Sequence, residues 1–144
     1  MWCALGVFLV WVGLAAAEGA RVVVTVDQPG DVTATAAPAP ERRAADQAPH
    51  VIISVTGFQP PQDGAVQAVV KAQREDTGTE QEIGRFGIFP HIAFKAEPSK
   101  AQRFALPLPK ELASGASVHL KVYLVPFRGE GKGAWLEVGG AEIR

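Results

Sequence analysis

Three histidines, His50, His91 and His119, are the residues of this sequence best suited to hold a metal ion. A zinc- or copper-type site needs two or three donors converging at about 2.0–2.2 Å, and short spacings such as i, i+2 or i, i+4 supply two from one element. No pair here has that spacing. A weak metal site made of His50, His91 and His119 therefore requires the fold to bring them together; failing that, each is a solvated histidine. Nucleophilic chemistry meets a similar obstacle. Ser54, Ser99, Ser114 and Ser117 stand in no Gly-x-Ser-x-Gly turn and beside no glycine-rich oxyanion signature. The only cysteine, Cys3, lies in the N-terminal apolar stretch, so the rest of the chain has neither a thiolate nor a disulfide.

Other chemistry-bearing groups read as ordinary loops. Residues 84–87 (GRFG) and 129–133 (GEGKG) lack the Gly-x-x-x-x-Gly-Lys-Ser/Thr pattern leading into a helix. Glu75, Asp76, Glu80 and Glu82 could gather Ca²⁺, but their spacing fits no known loop geometry, and a solvated loop is the simpler account. No catalytic, metal-binding or cofactor-binding residue is assigned on these grounds, and a non-enzymatic role is expected. The feature that rises above this background is apolar. Residues 86–94 (FGIFPHIAF) gather aromatic and aliphatic side chains and a histidine around Pro90. Two readings stand: Phe86, Ile88 and Phe94 join the core, or the residues beyond Pro90 sit at an exposed loop tip that contacts a partner. Phe127 and Trp135 flank the last connection and carry the same alternative. The candidate partner contacts are thus Phe89, His91, Ile92, Phe94, Phe127 and Trp135.

The elements that would position these residues are short and period-two. Residues 21–26 (RVVVTV) are rich in β-branched side chains and stop at the turn signal 27–31 (DQPGD), after which 31–36 form a second short strand. Residues 37–49 (APAPERRAADQAP) have no period and read as an exposed linker. Further strands are expected over 50–58, 65–74, 82–90, 100–108, 117–125 and 135–143. The segment 65–74 (AVQAVVKAQR) also fits a helix face, and strand is chosen because its neighbours are strands. In 117–125 (SVHLKVYLV), Val118, Leu120, Val122 and Leu124 form the buried face, with His119, Lys121 and Tyr123 opposite. Gly84 and Gly87 suggest bulges or close backbone approach, and Gly139-Gly140 suggests a bulge. Residues 128–133 (RGEGKG) read as a hairpin loop. About seven to eight short strands with no convincing helix predict an all-β, antiparallel β-sandwich.

Residues 1–17 contain no charged side chain, 5–14 are almost continuously apolar, and Ala15-Ala16-Ala17 precede Glu18. This fits a cleavable signal peptide and falls short of the roughly 20 apolar residues of a membrane span. A retained anchor is the alternative. The expected organisation is a leader over 1–17, strands and linker over 18–49, and a sandwich body over 50–144, with 18–144 as one domain. The mature protein is then secreted or periplasmic, with no membrane association after cleavage. With 14 basic and 15 acidic residues mixed along the chain, the formal net charge of −1 gives no reason to expect nucleic acid.

Four pieces, 51–58 (VIISVTGF), 82–89 (EIGRFGIF), 103–112 (RFALPLPKEL) and 117–126 (SVHLKVYLVP) running on to 135–143 (WLEVGGAEI), occur in that order. In this order they resemble the β-sandwich domain that follows the catalytic domain in tyrosinase-type (type-3) copper oxidases, over roughly 50–144. The six-histidine helical copper domain of that family is missing, so no site residue carries over. The resemblance implies an accessory sandwich that contacts another exported protein, such as a type-3 copper oxidase. The runner-up is a small-molecule or carbohydrate-binding module, which needs exposed, coplanar aromatics on a concave face.

Overall fold

A computed structural model describes residues 21–37, 47–113, 115 and 117–144. The expected signal peptide, most of the linker and Ser114 lie outside the described residues. The described chain is all-β. Its nine strands are β1 (Val22–Thr25), β2 (Gly30–Ala36), β3 (His50–Gln59), β4 (Ala65–Gln73), β5 (Glu80–Phe86), β6 (Phe94–Lys95), β7 (Gln102–Pro107), β8 (Ser117–Arg128) and β9 (Trp135–Ile143). All eight segments read from the sequence form strands, including 65–74; the ninth, β6, is a two-residue addition. Among the described residues the only helical piece is a single 3₁₀ turn, Pro98–Lys100.

The strands form one mixed sheet, in the order β5-β4-β8-β2-β9-β3-β6, with β1 on β9 and β7 on β3. The sheet folds over so that β5-β4-β8-β2 faces β1, β9, β3 and β7 across a single core. Strand β2 makes the turn between layers: it pairs antiparallel with β8 and then, from Ala34 to Ala36, parallel with Ala141–Ile143 of β9. That parallel stretch departs from a purely antiparallel sandwich. The free edges, β5 and β7, meet without pairing, and the rings of Phe86 and Phe104 stack there at 4.2 Å between centroids.

Alternation explains the core. Val118, Leu120, Val122 and Leu124 of β8 are buried, and their partners across the ladders, Ala34, Val32 and Gly30 on β2 and Ala72, Val70 and Ala68 on β4, face the same way. The second layer contributes Val51, Ile53, Val55, Phe58, Leu136 and Val138. Each such side chain, fully buried, contributes roughly 1.5–3 kcal/mol.

Bulges reset the alternation in β5 and between β3 and β9, and another leaves Phe127 unpaired between β4 and β8. In β5, Val70 faces Gly84 and Lys71 faces Glu82, leaving Ile83 unpaired. Ile83 and Phe86 consequently both point inward while Glu82 and Arg85 point out. Gly84 is also a point of close approach, since a Cβ there would lie 2.8 Å from the Leu106 side chain of β7; no atom crowds Gly87. Between β3 and β9, Ser54 faces Gly140, Val55 faces Val138 and Gly57 faces Glu137, so Gly139 and Thr56 are both unpaired. The bulge expected at Gly139-Gly140 is therefore present.

One expectation is corrected. Strands β8 and β9 are not a hairpin, because β8 pairs with β4 and β2 while β9 pairs with β1, β2 and β3. With both edges of β8 already occupied, residues 129–134 cross from one layer to the other.

Candidate functional site

The three histidines do not converge. His50 opens β3, His119 lies exposed on β8 opposite Thr33 and Gln73, and His91 lies in the β5–β6 connection. The His91 ring packs on Phe58 at 5.4 Å. At about 3.3 Å per residue, the eight steps of β3 from His50 to Phe58 keep these two imidazoles roughly 25 Å apart. Among the described residues no group of three His, Cys, Asp or Glu side chains could hold a metal ion. The weak metal site from His50, His91 and His119 thus lacks the convergence that it requires. Ser54 lies on β3, Ser99 in the 3₁₀ turn and Ser117 at the start of β8, with no hydrogen bond to a histidine among the described residues.

Three acidic residues of the 75–82 stretch, Asp76, Glu80 and Glu82, are engaged with cations. Arg74 bonds Asp76 at 3.3 Å and holds its carboxyl below the usual carboxylate range. Arg85 bonds Glu82 at 2.6 Å, lowering the carboxyl in the same way while its own guanidinium is pushed up. Glu80 accepts the Tyr123 hydroxyl at 2.8 Å and lies 3.9 and 3.8 Å from the ammonium groups of Lys71 and Lys121. The Tyr123 phenol is raised above its ordinary value, chiefly because it donates to that carboxylate. These groups tie the outer face of β4, β5 and β8 together.

The six apolar candidates divide into two sets. Phe89 is 89% exposed, Ile92 61% and Phe127 62%. His91, Phe94 and Trp135 are partly buried and act as anchors. Phe86 and Ile88 are in the core, Phe94 is half-buried against it, and Phe89 and Ile92 are exposed on the connection that follows β5. Residues 87–93 span from β5 in one layer to β6 in the other. Ile88 is buried at one stem of this loop, and Phe94 pairs with Phe58 at the other. Between them the Ile92 amide donates to the Pro90 carbonyl at 2.8 Å. The His91 Nε2 is enclosed with no hydrogen-bond partner. Strand pairing brings the ends of β1, β3, β5 and β8 and the start of β4 and β9 to this same end of the sandwich. The opposite end is polar, with Arg74, Asp76 and a bonded Thr77–Thr79 pair. Trp135 is no open platform for a sugar ring: its indole crowds Gly57 on one side, and the Lys95 ammonium lies 5.5 Å from its centroid.

Sequence reasoning missed one polar arrangement. Glu137 is 7% exposed. Its Oε1 accepts the Thr56 hydroxyl at 2.8 Å and lies 3.6 Å from Arg21 Nη1, and its Oε2 lies 3.9 Å from Lys95 Nζ. The available signal was a carboxylate between Leu136 and Val138, next to paired glycines and opposite Thr56-Gly57.

No family model matches the chain, and no curated protein does.

Proposed function

We propose that this protein is an exported, non-catalytic β-sandwich that binds another exported protein through the end carrying residues 87–93. The observation that carries the reading is the exposure of Phe89 and Ile92, 89% and 61%, on a loop whose stems are anchored by Ile88 and Phe94. Large apolar side chains held out on a rigid base fill a partner's pocket with little ordering cost, as interface anchors do. A convex tip of this kind favours a protein partner over a flat sugar or a small ligand, which needs a concave site. The resemblance of residues 50–144 to the sandwich domain of type-3 copper oxidases makes such an oxidase the first partner to test.

The experiment is affinity capture from the exported protein fraction of the host, with residues 18–144 as bait and a Phe89→Ser/Ile92→Ser variant beside it. Exposed positions of this kind tolerate polar substitution without unfolding. A partner captured by the parent and weakened about 30-fold or more in the variant supports the reading, since anchor residues typically carry about 2 kcal/mol or more. Equal capture by both proteins sinks it.

A further inference from the structure

Thr56 and Glu137 are the buried polar side chains among the described residues, and they bond each other. A buried carboxylate is costly unless cations and hydrogen bonds compensate it, and apolar residues would often serve stability as well. Its neighbours suggest what it holds. The two-residue strand β6 is the distal stem of the 87–93 loop, and so short a strand has little stability of its own. It is fixed to β3 by the pairs Phe94–Phe58 and Lys95–Gly57, and by the Ala96 amide, which donates to the Thr56 carbonyl at 2.8 Å. Lys95 then reaches over Trp135 to Glu137. Thr56 therefore serves β6 with its carbonyl and Glu137 with its hydroxyl. It does so as the unpaired residue of a bulge, where its side chain turns to the face that carries Glu137.

We propose that the Thr56–Glu137 pair, with Lys95 drawn onto it, is a positioning clasp that fixes the distal stem of the loop and so presents Phe89 and Ile92 in one conformation. The purpose rests on the binding reading above; the test does not. Amide hydrogen exchange of the parent, Thr56→Val and Glu137→Gln proteins reads it directly. Protection of the Ala96 amide falls about tenfold or more in both variants, as expected for the loss of a charge-assisted hydrogen bond. Amides of the β4–β8 ladder, such as Val70 and Val122, keep their protection. Unchanged protection at Ala96, or an equal loss throughout both layers, overturns the clasp. If Glu137→Gln fails to fold, Thr56→Val alone decides. Exchange is measured without a partner, so failure to capture one leaves the clasp standing, and a failed clasp leaves the binding reading to its own experiment.

Discussion

Replacing Gly139 with alanine probes the double bulge that brings Thr56 to Glu137. A Cβ at position 139 would lie 2.6 Å from Thr56 Cγ2 but 3.4 Å from its Oγ1, so the methyl is the main obstacle. Thr56 cannot swing aside cheaply, because its hydroxyl is held at 2.8 Å by a buried carboxylate. Overpacking of this kind costs about 1–3 kcal/mol. Thr56→Ser removes the offending methyl and keeps the hydrogen bond, at a cost of roughly 1 kcal/mol for the lost methyl. If the two sites were independent, the double variant would lose about 3 kcal/mol; with the clash relieved it loses only about 1 kcal/mol, a coupling of roughly 2 kcal/mol. Urea unfolding of the four proteins, with matched m-values, measures the cycle. A neutral Gly139→Ala, or a double variant no better than the sum of the singles, refutes the assignment of Gly139 to this contact.

Two further outcomes follow from named side chains. His91→Phe keeps the ring contact with Phe58 and removes the enclosed, unpartnered Nε2; denaturant unfolding should show a gain of about 0.5–1 kcal/mol, and a loss of that size contradicts the packing described. Tyr123 is the only tyrosine, so the phenolate absorbance of the native protein reports it alone. Its midpoint should lie above the ordinary tyrosine value of about 10 and move back toward it in Glu80→Gln. Because the folded form holds this proton more tightly than the unfolded one, its contribution is complete below the unfolded pKa and is lost as pH rises through the folded one. A midpoint indifferent to Glu80→Gln would mean that the hydrogen bond does not set it.

What the sequence disclosed, and what it hid, has a physical pattern. Alternation in SVHLKVYLV reports which side chains face a core, and β8 buries the four expected residues. Alternation does not report which strand lies alongside, which is why β8 and β9 resemble a hairpin in sequence and lie in different layers. Strict period two in residues 82–90 would place Ile83 opposite to Phe86; the bulge at Ile83 puts both inside, and the glycines of this segment pointed to a bulge without saying which residue it would set aside. Phe86 and Phe89 belong to the same apolar run yet have opposite fates, because β5 ends at Phe86 and the chain then leaves the sheet. An apolar cluster over 86–94 could therefore be read from composition, but its exposed residues could not be told from those that pack inward. Alternation alone sets Glu137 on the face opposite to Leu136 and Val138 and does not report that this face is covered there. The burial of Glu137 depends on Thr56, 81 positions away, and on cations from β6 and from the residue before β1.

The placement of β9 has a consequence for how the molecule is made. It is the C-terminal strand of the described chain, yet β1, β2 and β3 all dock onto it. Of the first three strands of the described chain, β1 pairs with β9 alone, and β2 and β3 each lack one neighbour until it is made. Pairings this distant make folding slow and leave growing chains adhesive. Maturation therefore cannot be completed piece by piece from the N-terminus, and a chain cut short before Trp135 keeps β3 with β6 and β7 but lacks the strand that joins β1 and β3 to β2.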